Sequence, residues 1–468
     1  MKLLSLCFIL LLGIPFIKSD NPCKPEQIHL ALSDSYTSHP ASQSPIKAIF
    51  HTKEACDSAY ILLETKEGFK KITATAVNYF QDSYSAGKIY KTYVHIFDFP
   101  ALEVGNIYRY TCHPDALDIN KPKGPFSFYV PDPKPGHKTT SVVMFGDLDS
   151  TSFGRTTLSQ LIRTKDLNFT SIAAYIHMGD LSYDLESNNG KKGDDYMNAV
   201  QDFAASMPYM ISPGNHEAFH NFSNVNMRFK MPLFAKTQNH YYSYNLGNMH
   251  FASINLDLVI LNPELMTHMA DWLAKDLAEA NANRHERPWI ILYTHRPLYC
   301  SKNKDDCLEN PTKFKQIEDI INQYKVDLYV SGHVHAYERM LPIKQGRVAP
   351  FQQPLGDTNF KYIVNPQAPV FVVQGMAGHE GDDEDGKVYG MKSFSVKVDT
   401  QYSFIALHSL NSTHLHVENI NSGHGKATDE FYLIKSQQES FAHLPYFQQT
   451  LERLARDVSK KDSKKKNK

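Results

Sequence analysis

A strong net charge is absent from this sequence. Its 49 lysine and arginine residues almost balance its 50 aspartate and glutamate residues, so the formal net charge is -1. A large field of one sign is what draws a chain to nucleic acid or to a charged membrane surface, and we therefore expect neither partner. The balance does not indicate what small molecule the chain binds.

Long apolar runs are absent after the first twenty residues. Those residues, MKLLSLCFILLLGIPFIKSD, combine a basic start, an apolar centre and a polar exit, which is typical of a secretory signal peptide over residues 1–19. No later stretch approaches the roughly 20 apolar residues of a membrane helix. We therefore expect no membrane span and a lumenal or secreted protein, with a lysosomal destination and the oligomeric state left open. Three sequons predict glycosylation at Asn168, Asn221 and Asn411.

Cysteine is scarce. Of the six cysteines, Cys7 lies in the predicted signal peptide, and the remaining five form an odd set. One thiol is therefore left over unless it pairs between chains. Cys300 and Cys307 flank a short polar loop, CSKNKDDC, and we expect a disulfide between them. The sequence leaves open how the other three are used: Cys23, Cys56 and Cys112.

The pattern of apolar residues divides the chain into domains. Short alternating runs over residues 22–132 predict an antiparallel β-sandwich. A proline-rich linker, PDPKPGHK, follows, and residues 139–435 then alternate buried strands with helices, which indicates an α/β domain. Residues 436–468 end in a lysine run and are predicted to form a disordered tail.

Metal-binding side chains follow five apolar strands of the predicted α/β domain. The stretches are FGDLDS, MGDLSYD, PGNHE, YTHRP and GHVH. Because α/β folds collect residues from the carboxyl ends of strands at one crevice, we expect these side chains to share a site. The candidate ligands are Asp147, Asp180, Tyr183, Asn215, His295, His333 and His335.

These motifs resemble the metallophosphoesterases, and more closely the long animal-type purple acid phosphatases. PEQIHLAL, THRPLYC and HAYERMLPI extend the resemblance over most of the chain. It implies a fibronectin-III-like amino-terminal domain and a four-layer αββα catalytic domain. It also implies an acid phosphatase that hydrolyses phosphate monoesters with a metal-bound hydroxide as the nucleophile.

The resemblance also implies a role for each motif residue. Asp147, Asp180, Tyr183 and His335 would bind a ferric ion. A divalent ion, Fe, Zn or Mn, would be held by Asp180, Asn215, His295 and His333. His216 resembles a histidine that contacts the substrate phosphate and protonates the leaving oxygen.

Elementary chemistry also supports a pair of cations at this site, independently of the resemblance to a family. A phosphate ester repels nucleophiles because it is itself negative, and a pair of metal ions neutralises that charge while orienting the attacking and leaving oxygens. A phenolate such as that of Tyr183 is a hard anionic donor, which suits ferric iron better than a softer divalent ion.

The sequence departs from the family pattern in two places. Asp149 stands where a glycine is usual and adds a carboxylate near the site. The stretch after His295 lacks the substrate histidines of the plant enzymes, so the general acid could be His216, His240 or His379. Two further strand histidines, His177 and His250, are interpreted as hydrogen-bonded structural residues.

Two other functions stay open at this stage. A phosphodiesterase or a nucleotide-directed hydrolase could use the same site, because the fold and the metals do not determine the leaving group. A binding protein with a silent metal domain is disfavoured because all seven expected ligands are present. A serine nucleophile is disfavoured because no GxSxG motif occurs.

Overall fold

The computed structural model describes residues 21–34, 45–85, 87–114, 122–136, 139–302, 305–379 and 391–436. The predicted signal peptide and all of the predicted tail except Ser436 lie outside the described residues. Among the described residues, no helix is long and apolar enough to cross a membrane.

The amino-terminal region contains strands that form two four-stranded antiparallel sheets, in the orders β1-β2-β6-β5 and β4-β3-β7-β8. Strands β1 and β2 are buried almost throughout instead of alternating, and β1 packs against helix α2 (Lys191–Ala204) of the following region. The likeness to a fibronectin III domain and the domain boundaries stay predictions. The strands are β1 (Glu26–Leu32), β2 (Ile46–Thr52), β3 (Tyr60–Thr65), β4 (Gly68–Thr73), β5 (Ala76–Ser85), β6 (Lys88–Asp98), β7 (Ile107–His113) and β8 (Lys123–Tyr129).

The rest of the described chain is an α/β region with two mixed sheets. Its strands are β9 (Thr140–Phe145), β10 (Ile172–Met178), β11 (Tyr209–Ser212), β12 (Tyr241–Leu246), β13 (Met249–Ile254), β14 (Trp289–Thr294), β15 (Leu328–Ser331), β16 (Tyr337–Lys344), β17 (Arg347–Val348), β18 (Tyr362–Val364), β19 (Val370–Gln374), β20 (Ser395–Asp399), β21 (Ser403–Ser409), β22 (His414–Asn421) and β23 (Ala427–Ile434). Besides α2, its helices are α1 (Arg155–Leu167), α3 (Phe219–Arg228), α4 (Phe234–Thr237), α5 (Leu256–Leu261), α6 (Leu265–Ala282), α7 (Asp305–Lys313) and α8 (Lys315–Gln323).

Each mixed sheet contains a parallel core. One has the order β11-β10-β9-β21-β22-β23-β18, with β9, β10 and β11 parallel. The other has the order β12-β13-β14-β15-β19-β16-β17, with β13, β14, β15 and β19 parallel and β20 paired to β16. The sequences of these parallel strands are continuous apolar runs because the strands are buried along their whole length.

Helix α6 illustrates how the helices cover the sheets. Its buried residues recur at helical spacing and therefore share one face. That face packs on β13 and β14, and α6 also contacts α8. The buried residues are Met269, Ala270, Leu273, Leu277 and Ala280.

A fully buried arginine joins the two regions. Arg228 at the end of α3 lies 2.9 Å from Asp194 of α2, and its Nε donates to Asn224 at 2.7 Å. Gln27 of β1 donates to Asp194 at 2.9 Å and accepts from Arg228, while Tyr90 of β6 donates to Asp194 at 2.7 Å. A buried charge is tolerated only when it is paired, so the two regions supply each other's partners.

The described residues contain two disulfides, of which Cys300–Cys307 is buried. One joins Cys300 to Cys307 across the predicted loop, and the other joins Cys23 to Cys56, a pairing that the sequence left open. Cys112 is a free, buried thiol of β7.

Three histidines are buried in the sheet that faces the α/β region. His29 Nδ1 lies 2.8 Å from the carbonyl oxygen of Gln27, and His95 Nε2 lies 2.8 Å from the hydroxyl of Thr52. Burial lowers the pKa of His29 and of His95 to about 4. Burial also lowers the pKa of the neighbouring His51 well below its ordinary value. The folded protein therefore keeps these rings neutral.

Replacing His29 and His95 by glutamine should reduce the sensitivity of folding to acid. In the unfolded chain a histidine takes up a proton near pH 6.5, whereas in the folded chain these two do so only near pH 4. Between those values the unfolded state binds more protons, so the free energy of unfolding falls as the pH falls. The loss is about 3 kcal/mol per histidine once the pH is below both pKa values. Urea unfolding at about pH 7 and about pH 4 measures it.

The matched control is His285→Gln, which removes an exposed histidine from the turn after α6. It should leave the pH dependence as in the parent chain. Equal pH dependence in the double variant and the parent would contradict the assignment.

Candidate metal centre

The seven predicted ligands all lie at carboxyl ends of parallel strands and form two neighbouring groups. In the first group the Tyr183 hydroxyl lies 2.8 Å from His335 Nε2 and 3.3 Å from Asp147 Oδ1. His335 Nε2 is 3.4 Å from the same Asp147 oxygen. Strands β9, β10 and β15 supply these residues, so both mixed sheets contribute.

The second group is centred on His295, which follows β14. Its Nε2 lies 3.0 Å from Asn215 Oδ1, 3.2 Å from His333 Nδ1 and 3.3 Å from Asp180 Oδ1. Asp180, His295 and His333 present one ligand atom each within 4.8 Å of one another. Four side chains thus direct oxygen and nitrogen atoms into one small volume.

A backbone contact orients the His295 ring. Its Nδ1 lies 2.8 Å from the carbonyl oxygen of Met178, which can only accept a hydrogen bond. The proton on that side must therefore be on Nδ1, and the Nε2 lone pair is available to the group of ligands. Metal-binding histidines commonly have such a partner on the far nitrogen.

The backbone around the centre is unusual. Four of the seven residues are non-glycine residues with φ between 54° and 68°, in the left-handed region. This conformation is costly for most residues, and such strain concentrates at functional sites. The four residues are Asp147, Asp180, Tyr183 and His333.

Glycines next to the ligands leave room for them. A Cβ atom at Gly214 would lie 2.4 Å from Asp180 Oδ1, and one at Gly332 would lie 2.5 Å from Asp147 Oδ2. Both distances are far below van der Waals contact. The glycines of the PGNHE and SGHVH motifs are therefore required by space.

Glu217 is a functional residue that the sequence reasoning missed. It is buried, and its carboxylate accepts backbone N–H groups of Asp180, Leu181 and Gly214, each at 2.8 Å. It thereby ties the loop that carries Asp180 to the loop that carries Asn215. In the sequence, the position of Glu217 directly after His216 was the signal that could have identified it.

The electrostatics of the ligands favour a positive charge between them. Burial and the Asp147 carboxylate raise the pKa of Tyr183 far above its ordinary value. Burial opposes the ionisation of Asp180, but His295 outweighs it and lowers the pKa of that carboxyl. Burial likewise favours neutral His295, but Asp180 outweighs it and raises the pKa of the imidazole.

A cavity of about 550 Å³ opens over both groups. His216 lies on its wall, with Nδ1 2.8 Å from Asp184 Oδ1 and Nε2 3.9 Å from Asp180 Oδ2. His379 also lines it and stacks on the Tyr183 ring at 3.6 Å between centroids. Lys192 and Lys302 contribute positive charges to the wall.

Two other residues singled out in the sequence do not line this cavity. His240 hydrogen-bonds Asn255 and packs on Phe222. The carboxylate of Asp149 accepts hydrogen bonds from the backbone and the hydroxyl of Thr151 at 3.1 and 3.0 Å. The Ser182 hydroxyl also donates to Asp149 at 3.5 Å, so this carboxylate holds its own turn and contacts the loop that carries Asp180 and Tyr183.

The two strand histidines have the local hydrogen bonds that a structural role requires. His177 bonds Tyr209 at 2.7 Å and Tyr196 at 3.0 Å. His250 bonds Asn245 and Asp276, both at 2.9 Å. The predicted glycosylation sites Asn168, Asn221 and Asn411 are exposed, and their modification stays a prediction.

Known proteins resemble both the sequence and the fold. A family model described as calcineurin-like phosphoesterase matches residues 140–337, and one described as iron/zinc purple acid phosphatase-like protein C matches residues 368–430. Acid phosphatase type 7 of Danio rerio is 36% identical over 313 residues, which cover 63% of this chain and 68% of the relative. The Homo sapiens protein of that name is 35% identical over 275 residues, which cover 56% of this chain and 61% of the relative.

A solved structure resembles the fold over most of the chain. Purple acid phosphatase PPD1 from yellow lupin seeds has a TM-score of 0.73 at 21% identity, with 90% of this chain and 76% of that chain covered. At that identity the likeness concerns the fold, and it confirms the predicted α/β metallophosphoesterase architecture. Together with the sequence matches, it shows that the chain belongs to the purple acid phosphatase family of metallophosphoesterases.

Proposed function

We propose that this chain, an acid phosphatase by family, hydrolyses phosphate monoesters at the strand-end centre. One observation carries the proposal: the two groups of candidate ligands lie under a cavity of about 550 Å³ whose wall also carries two lysines, Lys192 and Lys302, and two histidines outside the groups, His216 and His379. The positive side chains of the wall complement the charge of a phosphate dianion, and the cavity volume accommodates a small ester.

The donors suit two different cations. The first group offers a carboxylate, a phenol oxygen and an imidazole in Asp147, Tyr183 and His335, a hard set that favours a ferric ion. The second offers an amide oxygen and two imidazoles in Asn215, His295 and His333, which suits a divalent Fe, Zn or Mn ion. Asp180 would be shared by both. The glycines that leave room for these side chains and the mutual approach of their acceptor atoms fit such a pair.

When bound, two such ions supply neutralisation of the phosphate charge and acidification of water. The chain's own residues do the rest. The positive side chains of Lys192 and Lys302 attract the ester and offset the carboxylates of Asp180 and Asp184.

In this proposal His216 protonates the leaving oxygen. Its Nδ1 lies 2.8 Å from Asp184, so that carboxylate holds the ring while Nε2 faces the cavity. A proton on Nε2 can therefore pass to the alcohol as it departs. The stacking of His379 on Tyr183 keeps the phenol oxygen directed toward Asp147 and His335.

Asp180→Asn should abolish hydrolysis of a chromogenic phosphate monoester. The substitution removes the charge that both groups share, and we expect a loss of at least about 100-fold, since even outer partners of metal ligands cost 10- to 100-fold. Rates would be measured from about pH 4 to about pH 8, with a diester substrate in parallel, and the parent should be most active below neutrality. Activity of the metal-loaded parent no higher than that of Asp180→Asn would refute the monoesterase proposal. Faster cleavage of the diester would favour a diesterase.

Glu217→Gln should weaken metal binding by about 10- to 100-fold without unfolding the protein. An amide has only one acceptor oxygen, so it cannot receive the N–H groups of Asp180, Leu181 and Gly214 together. Metal content after dialysis against a weak chelator measures the effect. Glu318→Gln is the control, because that buried glutamate bonds Tyr299 and Gln345 away from the centre. Equal metal retention in both variants would show that Glu217 does not position the ligands.

His216→Asn should slow hydrolysis most where the leaving group is poorest. An alkyl alcohol needs a proton as it leaves, whereas a nitrophenolate does not, so kcat should fall by about 100-fold or more for an alkyl phosphate and by much less for the nitrophenyl ester. Asp184→Asn should show the same dependence on the leaving group with a smaller decrease in kcat. This substitution only frees the His216 ring from its contact with the Asp184 carboxylate. A uniform loss across leaving groups would assign His216 to phosphate binding instead of acid catalysis.

A further inference from the structure

A second group of side chains that could bind a metal lies on one face of the sheet β11-β10-β9-β21-β22-β23-β18, away from the cavity over the strand-end centre. His408 of β21 and His416 of β22 are directly opposite each other in an antiparallel register. Glu418 lies two residues beyond His416 and therefore projects from the same face. We call His408, His416 and Glu418 the sheet-face cluster. One ligand atom from each lies within 4.8 Å of the others.

Neighbouring strands orient the rings of this cluster. His408 Nδ1 lies 2.8 Å from the hydroxyl of Ser141 on β9, and His408 Nε2 lies 3.1 Å from Glu418 Oε2. The His416 ring stacks on Tyr432 of β23 at 4.2 Å and 7°. Each ring is therefore fixed by a contact outside the cluster, which leaves little to reorganise when an ion binds.

An outer carboxylate completes the arrangement. Glu430 on β23 is directly opposite Glu418, and its Oε2 lies 3.1 Å from His416 Nε2. Glu430 is itself paired with Lys361. Carboxylates that hold a ligating imidazole in this way are the usual second partner of protein metal sites.

The position of the cluster separates it from the strand-end centre. Ser141 lies near the start of β9, and Asp147 follows the end of that strand. Ser141 and Asp147 are six residues apart along extended chain, which spans up to about 20 Å. The cluster and the strand-end centre therefore lie toward opposite ends of β9. A surface cavity of about 360 Å³, lined by Ser141, His408 and Glu418, gives solvent access to the cluster.

We propose that the sheet-face cluster binds one divalent transition-metal ion of the zinc class, with His408, His416 and Glu418 as ligands. Two imidazoles and one carboxylate form a set that zinc accepts in proteins, with a further position open to water. Because the ligands come from two strands and His408 is held by a third, the ion ties β9, β21 and β22 together across the sheet. Nothing in the hydrolytic chemistry requires it, so the site stabilises the fold.

The test compares zinc binding by holoenzyme variants in equilibrium dialysis. The paired variant His408→Gln/His416→Gln should bind one Zn²⁺ equivalent fewer than the parent and keep its phosphatase activity. The matched control is His414→Gln, which removes a histidine from the same strand and face but outside the cluster; it should bind as the parent does. Asp180→Asn should lose zinc from the strand-end centre while it keeps the sheet-face equivalent.

A second variant tests the proposal even if the protein with both histidine substitutions does not fold. Glu418→Gln retains the shape of the side chain and should weaken zinc binding by at least tenfold. It should also remove most of the zinc-dependent rise in the thermal unfolding temperature. Equal zinc stoichiometry in the parent, in Glu418→Gln and in the paired variant would overturn the proposal. So would a loss of zinc in His414→Gln as large as that in the paired variant.

Discussion

The mutual approach of acceptor atoms at the strand ends is the constraint on which the rest of the catalytic region depends. His295 Nε2 lies 3.0 Å from Asn215 Oδ1, 3.2 Å from His333 Nδ1 and 3.3 Å from Asp180 Oδ1, so four side chains crowd electron-rich atoms together. Positive charge between such atoms, whether from a proton or from a cation, stabilises the arrangement, and the backbone must keep the atoms from separating. The left-handed turns supply one part of that restraint. The three N–H groups received by Glu217 supply another.

The proximity of the candidate ligands could be predicted from the sequence because the physical rule behind it is local. A continuous apolar run predicts a buried parallel strand, and the polar residue that follows must lie at the carboxyl edge of the sheet. Five such endings in order were sufficient to name Asp147 and His335, which are distant in sequence and 3.4 Å apart in space. The resemblance to a family then assigned a specific role to each candidate ligand, which the geometry alone does not do.

Other features could not be predicted because they depend on long-range packing. Glu217 appeared as an ordinary charged residue after a ligand, and only the folded backbone shows three N–H groups converging on it. The pairing of Cys23 with Cys56 depends on how two loops of the first sheet approach each other. The strong burial of β1 contradicts simple alternation because its outer face is covered by α2. Likewise, His408 and His416 are eight residues apart in sequence and become neighbours only through strand register.

The buried Arg228 has a consequence for how this protein could have arisen and diversified. Its charge is balanced by Asp194, and the same carboxylate receives hydrogen bonds from Gln27 and Tyr90 of the amino-terminal sheets. Exchange of the amino-terminal segment by gene recombination would remove Gln27 and Tyr90 while it leaves the buried pair behind. A foreign segment would have to provide equivalent partners at once. The two regions are therefore expected to be inherited as a unit, and their shared boundary should resist the shuffling that separates more weakly joined domains.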